Sequence, residues 1–292
     1  MNQTVFIHTN NKQRLGAKLA KFAIKRRLPD GSPIEVEILN VDALPEFEAF
    51  AGKEYLRAGK PVVYDQDDLQ SFTLSRFMPP ELMGYQGRSI VIDPDIFAIA
   101  DITPLMNMDL GGGAVAACKK HDAYDTSVMV MDNSKLTHWK MEGILGSLAR
   151  KEADYLDFTQ LRKEASVKEL SRDWNSLDAI TPTTKMVHMT NRITQPWSTG
   201  LPIDFTINPM PKVFGIVPRE PIHKFLGKYP THYKKHPDPK IEAFFIGLVK
   251  DALAARIITE DTLKEELGAN RMRKDIFELV SAERLSFLAR II

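Results

Sequence analysis

The first forty residues constrain the fold more than any later stretch. Thr4-Val5-Phe6-Ile7-His8 has the apolar pattern of a buried strand. Thr9-Asn10-Asn11 then supplies turn and N-cap chemistry. From about Lys12 to Leu28 a helix is expected, with Leu15, Leu19 and Phe22 at one-face spacing. Its other face carries Lys12, Arg14, Lys18, Lys21, Lys25, Arg26 and Arg27, and reads as a solvated basic face. After a Pro29–Pro33 loop, Ile34 to Leu39 alternates apolar and polar residues, as a second strand does. Strand, helix and strand joined this closely make a βαβ unit, which implies parallel pairing and a right-handed crossover. The chain is therefore expected to be α/β. His8, Thr9 and Asn10 then fall at the carboxyl edge of the sheet, where open α/β sheets bind ligands.

A second apolar run, Ser89-Ile90-Val91-Ile92, ends abruptly at Asp93-Pro94-Asp95. Side chains alternate along an extended chain, so Asp93 and Asp95 can point the same way. Pro94 lacks an amide hydrogen and favours the end of a ladder. Two carboxylates converging at a strand end suit Mg2+ or Mn2+, with positions left open for a phosphate-bearing substrate. Taken alone, such a tripeptide is more often an acidic turn.

Later elements follow the same two periodicities. Phe72 to Phe77 is expected to be helical up to Pro79-Pro80. Ala114 to Cys118 and Ser127 to Asp132 read as strands. Gly111-Gly112-Gly113 precedes a strand, the wrong order for a phosphate loop. A helix is expected from about Ser134 through Trp139, and interrupted helix over 141–172. Lys185 to Thr190 reads as a short strand containing His188. Helical patterns return at about 240–257, 259–267 and 271–290.

Of the 292 residues, 43% are hydrophobic and 26% charged, an ordinary globular balance. The net charge of +1 gives no global field favouring nucleic acid. A single cysteine, Cys118, excludes an intrachain disulfide and a cysteine zinc site. No signal peptide or spanning segment is expected, which points to a cytoplasmic protein. Between 216 and 240 the chain has five Pro, six Lys or Arg, three His and two acids. This basic connector reads as a solvated linker, with peripheral contact to the inner face of a membrane as the functional alternative.

Asp93-Pro94-Asp95, the Ser127–Asp132 strand, Val187-His188-Met189-Thr190, Gln195-Pro196-Trp197 and the upstream Ser75-Arg76-Phe77 occur in a recognisable order. This order resembles the glycogenin-like and lipopolysaccharide galactosyltransferase-like retaining glycosyltransferases, family 8 of the GT-A fold. The resemblance covers roughly residues 4–200. It implies a Rossmann-like, mostly parallel mixed sheet flanked by helices, with a catalytic domain over 1–215 and a C-terminal helical extension over 216–292. It implies a UDP-sugar or similar nucleotide-sugar donor, a glycan or lipid-linked acceptor, and hexosyl transfer in the EC 2.4 class. A Mn2+ or Mg2+ ion would be held by Asp93, Asp95 and His188. His8, Thr9, Asn10, Arg76, Pro94 and Gln195 would contact the donor. Asp125 would lie in the sugar-facing segment, and Asp157 or Asp154 would match a site aspartate of the family. The sequence departs from the pattern where Gln195 replaces a lysine, Asn191 a glycine, Phe158 a glutamine, and Thr126-Ser127 a small-Gly pair. No nucleophile is assigned. Two other readings stay open: a nucleotidyltransferase on a similar sheet, and a sugar-nucleotide binder without turnover.

Overall fold

A computed structural model describes residues 2–204 and 230–282. The chain divides into two compact units, Met1–His188 and Met189–Ile292. The boundary expected at 215/216 and most of the basic 216–240 connector lie outside the described residues.

The first unit opens with the βαβ pattern. Strand β1 (Gln3–Thr9) is buried from Thr4 onward. Helix α1 (Arg14–Lys25) follows a 3-10 turn at Asn11–Gln13 that Asn10 caps, so it starts later and ends earlier than expected. It buries Leu15, Ala17, Leu19, Ala20, Ala23 and Ile24, while Phe22 is only half-buried. β2 (Glu35–Asn40) runs parallel to β1, with Val5 opposite Val36. A short helix, α2 (Pro45–Phe50), leads to a hairpin of β3 (Glu54–Arg57) and β4 (Lys60–Val63).

Ser71–Phe77 is helical as expected, but as a 3-10 segment, and all seven residues are buried. α3 (Pro79–Leu82) starts at the two prolines, which fit a helix N-terminus because no amide is needed there. β5 (Arg88–Ile92) lies parallel to β1 with Ile7 opposite Ile92, so His8 and Asp93 leave the sheet at one edge. β6 (Ile96–Ala98) follows the Asp-Pro-Asp turn and joins a different sheet.

After α4 (Thr103–Met106) come β7 (Val115–Lys120) and β8 (Ala123–Asp132), paired antiparallel with a bulge at Ala117/Cys118. The helix expected from Ser134 is absent. Asn133–Lys135 forms one 3-10 turn, and α5 (Met141–Ala149) begins only after Trp139. Trp139 is instead a core plug held from a turn, edge-on to Phe77 at 4.9 Å with its indole N–H on Glu164 at 2.8 Å. α6 (Tyr155–Thr159) is followed by β9 (Val167–Leu170), a strand where interrupted helix was expected. β9 is an edge strand parallel to β7, and its exposed Lys168 and Glu169 suit an edge. β10 (Ser176–Leu177) and β11 (Met186–His188) complete the unit.

The main sheet has the order β2-β1-β5-β8-β7-β9, and three of its five neighbouring pairs are parallel. It is thus the mixed, mostly parallel α/β sheet that the sequence implied. A smaller sheet has the order β10-β11-β6, with His188 opposite Ile96. Phe47, Phe50, Phe77, Met129, Met131, Trp139 and Leu148 anchor the apolar core.

In the second unit, α7 (Pro239–Ala254) is capped by Asp238 and α8 (Glu260–Gly268) by a Thr259/Thr262 capping box. α9 (Ile276–Ser281) is shorter than the 271–290 helix expected; residues beyond 282 lie outside the described set. Just before α9, the buried Arg273 bonds to Glu242 at 2.6 Å and forks onto Asp275 at 2.6 and 2.9 Å.

Candidate metal centre

Asp93 sits where β5 leaves the sheet. Its amide donates to the Ser127 carbonyl at 3.2 Å, and its carbonyl accepts from Ile96 at 3.2 Å, which closes the turn around Pro94. Arg76, on the buried 3-10 segment, grips both oxygens of the Asp93 carboxylate, with Nε on Oδ1 at 3.0 Å and Nη2 on Oδ2. Its Nη1 donates to Thr126 Oγ1 at 2.9 Å. A planar guanidinium fits this forked contact as a lysine could not. Burial pushes the Asp93 carboxyl above its ordinary range, Arg76 pulls it back, and Asp95 adds to the rise.

His188 reaches the same place from β11, through the pairing of β11 with β6. The amide of Asn175 sets its tautomer. Asn175 Nδ2 donates to Ser127 Oγ at 2.9 Å and to Asp125 Oδ2 at 3.2 Å. Its Oδ1 is thereby the atom left facing His188, whose Nδ1–H donates to it at 2.9 Å. Nε2 then faces Asp95 Oδ1 at 3.3 Å. Burial draws the His188 pKa down, but Asp95, joined by Asp93 and Asp125, more than offsets this and holds it above the ordinary value.

One ligand atom from each of Asp93, Asp95 and His188 lies within 4.8 Å of the other two. Two carboxylates and one imidazole form a donor set suited to Mn2+ or Mg2+. Three protein ligands leave coordination positions for oxygens of another molecule. Arg76 orients one carboxylate and Asn175 the imidazole, the outer support that metal sites use to fix ligand direction. With His188 neutral, as a metal ligand must be, Asp93, Asp95 and Asp125 outnumber Arg76 and Arg172, so a divalent cation is electrostatically welcome. These residues fit a metal.

Asp125 stands beside this group on β8. Burial opposes its charge, but hydrogen bonds from Ser127 (Oγ at 2.6 Å, N at 3.1 Å) hold its pKa down at about 2. Arg172 adds an ion pair at 3.1 Å. Asp125 is therefore a fixed anion that orients Asn175.

His8 lies at the end of β1 and is fully buried. Ser75 donates its hydroxyl to the Phe72 carbonyl at 2.7 Å, so His8 Nδ1 is the donor in its 2.9 Å bond to Ser75. Nε2 is buried and has no hydrogen-bond partner. Burial, then Arg76, holds the His8 pKa well below normal, so the ring is neutral. Thr9 and Asn10 are engaged locally. Thr9 Oγ1 donates to the Asn10 carbonyl at 3.0 Å, while Asn10 accepts from the Gln13 amide at 3.2 Å and donates to Ser71 Oγ at 3.0 Å.

Asp154 and Asp157 form the capping box of α6. Asp154 also accepts from the Ala58 and Gly59 amides of the β3–β4 turn at 3.1 and 2.8 Å, and Asp157 pairs with Lys163 at 2.9 Å. Neither bonds to the metal-binding trio. Phe158 packs on Phe77 at 5.9 Å. Gln195 belongs to the second unit, where its amide donates to the Met189 carbonyl at 3.0 Å. Sequence reasoning missed Asn175, Ser127 and Thr126 as supporting residues. Their roles depend on long-range partners that no local pattern marks.

No protein-family model matches the sequence, and no curated protein matches it. Among solved structures, the chain is similar to the galactosyltransferase LgtC in complex with donor and acceptor sugar analogues (13% identity, 66% of this chain and 89% of that one, TM-score 0.47). It is also similar to the glycosyltransferase GlyE of Streptococcus pneumoniae TIGR4 (15% identity, 81% and 66% covered, TM-score 0.48). A third likeness is to mouse xyloside xylosyltransferase 1 (13% identity, 65% and 98% covered, TM-score 0.41). At these scores the likeness carries no residue's role to this chain.

Proposed function

We propose that this chain is a metal-dependent glycosyltransferase of the GT-A type that uses a nucleotide-diphosphate sugar, with UDP as the nucleotide. The observation that carries the reading is the convergence of Asp93, Asp95 and His188 at the carboxyl edge of an α/β sheet, with the His188 tautomer fixed by Asn175. In this reading Asp93, Asp95 and His188 hold Mn2+ or Mg2+. The ion supplies charge neutralisation for a departing diphosphate. Arg76 keeps Asp93 in register. The neutral, buried Nε2 of His8 is an acceptor suited to a donor N–H or O–H at the nucleoside end. Asp125 holds Asn175, and through it His188, in place. Asp154 and Asp157 are left out of the reacting group because their oxygens cap a helix. Retention of configuration and a glycan or lipid-linked acceptor belong to the same proposal and follow from the sequence resemblance.

The test is thermal stability across a panel of divalent metals, UDP, UDP-sugars and free nucleoside triphosphates. The expected result is stabilisation by UDP or a UDP-sugar only when Mn2+ or Mg2+ is present, and its loss in Asp95→Ala. Preferential stabilisation by nucleoside triphosphates would overturn the reading in favour of nucleotidyl transfer. Binding of UDP-sugar with neither hydrolysis nor transfer would leave a binder without turnover.

A further inference from the structure

The outward face of α1 carries four cations that the metal centre does not use. At 3.6 residues per turn, Arg14, Lys18, Lys21 and Lys25 fall within an arc of about 60°, in a line about 16 Å long. Leu15, Leu19, Ala20, Ala23 and Ile24 bury the other side of the helix, so the line faces away from the core. The helix RLGAKLAKFAIK contains no acidic residue. Among the described residues, none of the four cations forms an ion pair; of the neighbouring bases, Lys12 pairs with Asp67 at 3.6 Å. Glu35 and Glu37 stand exposed on β2.

An ordinary solvated helix face intersperses both signs. Here three successive spacings, 14 to 18, 18 to 21 and 21 to 25, set like charges at neighbouring positions, each of which weakens the helix. Arg14 also lies in the first turn, where the helix dipole disfavours a cation. A line that costs stability and has no internal partner is complementary to an external anion. Phe22 flanks the line, half-buried, with the Arg26 guanidinium 5.4 Å above its ring. It offers one apolar group at the rim.

We propose that this stripe docks the first unit on an anionic phospholipid surface. A nearly straight row on one helix flank matches a plane of headgroups. The chain's net charge of +1 gives little long-range attraction for a polyanion, and the one aromatic beside the row, Phe22, is half-buried with the Arg26 guanidinium over its ring, which leaves no open stacking platform for bases. Lipid attraction needs only local charge, and each cation near such a surface raises partitioning about fivefold. The proposal stands independently of the glycosyltransferase reading, because vesicle binding is measured without donor or acceptor.

The experiment is co-sedimentation of the full chain with phosphatidylcholine vesicles and with phosphatidylcholine vesicles containing phosphatidylserine, at low and high salt. The expected result is binding only to the anionic vesicles and its loss at about 0.5 M salt, where screening extends over only a few ångströms. Lys18→Gln with Lys21→Gln should weaken binding about 30-fold. Glutamine forms helix as well as lysine, so circular dichroism should show an unchanged fold. Absence of binding by the unaltered chain would overturn the proposal. So would equal binding by the double variant, since attachment would then reside elsewhere, as in the basic 216–240 segment. Tighter binding to duplex DNA or single-stranded RNA than to the anionic vesicles would also overturn it.

Discussion

Gly16→Ala tests whether the metal-binding turn is held from behind. Gly16 is the third residue of α1, where glycine costs at most about 0.5–1 kcal/mol relative to alanine. The structure shows why it is there. A Cβ built on Gly16 would lie 2.7 Å from the Pro94 carbonyl oxygen and 3.5 Å from its carbon. Real contacts of this kind lie beyond 3.0 Å and almost always beyond 3.4 Å, so helix and turn must separate by 0.3–0.7 Å. The obstructing atom is backbone and cannot rotate away. Overpacking of this kind costs about 1–3 kcal/mol, which at least cancels the propensity gain and leaves a net loss of roughly 0–2.5 kcal/mol. The Pro94 carbonyl lies between Asp93 and Asp95, so the displacement is passed to the ligand spacing. A site tolerant of about 0.5 Å should then lose roughly tenfold in Mn2+ affinity. Calorimetric Mn2+ titration of the folded variant reads this directly, alongside its melting temperature. Gly143→Ala in α5 is the control. Nothing lies within 4 Å of a Cβ there, so it should be neutral or stabilising with Mn2+ affinity unchanged. If Gly16→Ala melts higher than the unaltered chain and binds Mn2+ equally well, the Pro94 carbonyl constrains nothing and the reasoning fails.

Two other outcomes follow from the site. Asn175→Ala removes the acceptor that fixes the His188 tautomer, so Mn2+ affinity should drop about 10- to 100-fold in calorimetric titration, while affinity equal to the unaltered chain's would show that Asn175 does not orient the ring. Asp125 has a folded pKa of about 2 against an ordinary 3.8, so its charge contributes about 2 kcal/mol above pH 4, a contribution lost as pH falls through 2. Denaturant melts should therefore show Asp125→Asn less stable at pH 7, with the difference closing as pH approaches 2.

What was legible in the sequence was whatever local periodicity could carry. β1, α1, β2 and β5 repeat their pattern without interruption, and their order alone implied the parallel half of the sheet. Asp93 and Asp95 were visible because a strand ended on them. Their meeting with His188 depended on the order of distant motifs, since nothing local marks His188 as different from any strand-end histidine. β6 was hidden because three residues, Ile96-Phe97-Ala98, all of them apolar and buried, are too few to show an alternation. β9 was hidden because four residues of an edge strand, two of them charged, resemble a helix surface. Trp139 looked like a helix residue because its role, plugging the core from a turn, depends on Phe77 and Glu164. The spacing of Asp154 and Asp157 is that of a capping box with aspartate in the fourth place, a signal that was present and was read as chemistry. Asn175 offered no signal of its own, because its partners Asp125, Ser127 and His188 lie up to 50 residues away.

The turn at Pro94 hands one continuous chain from the main sheet to the small one, and His188 stands 93 residues beyond Asp95. The imidazole can join the carboxylates only after β11 has found β6. Closing a loop of that length costs the unfolded chain roughly 4 kcal/mol of entropy by logarithmic scaling. A cation across the three side chains would then act as a removable staple on that closure. During synthesis, a nascent chain that has emerged only as far as β9 would present both aspartates and have no third ligand. High-affinity capture of the ion would thus be delayed until the first unit is almost entirely made, and would report that its last strand had docked.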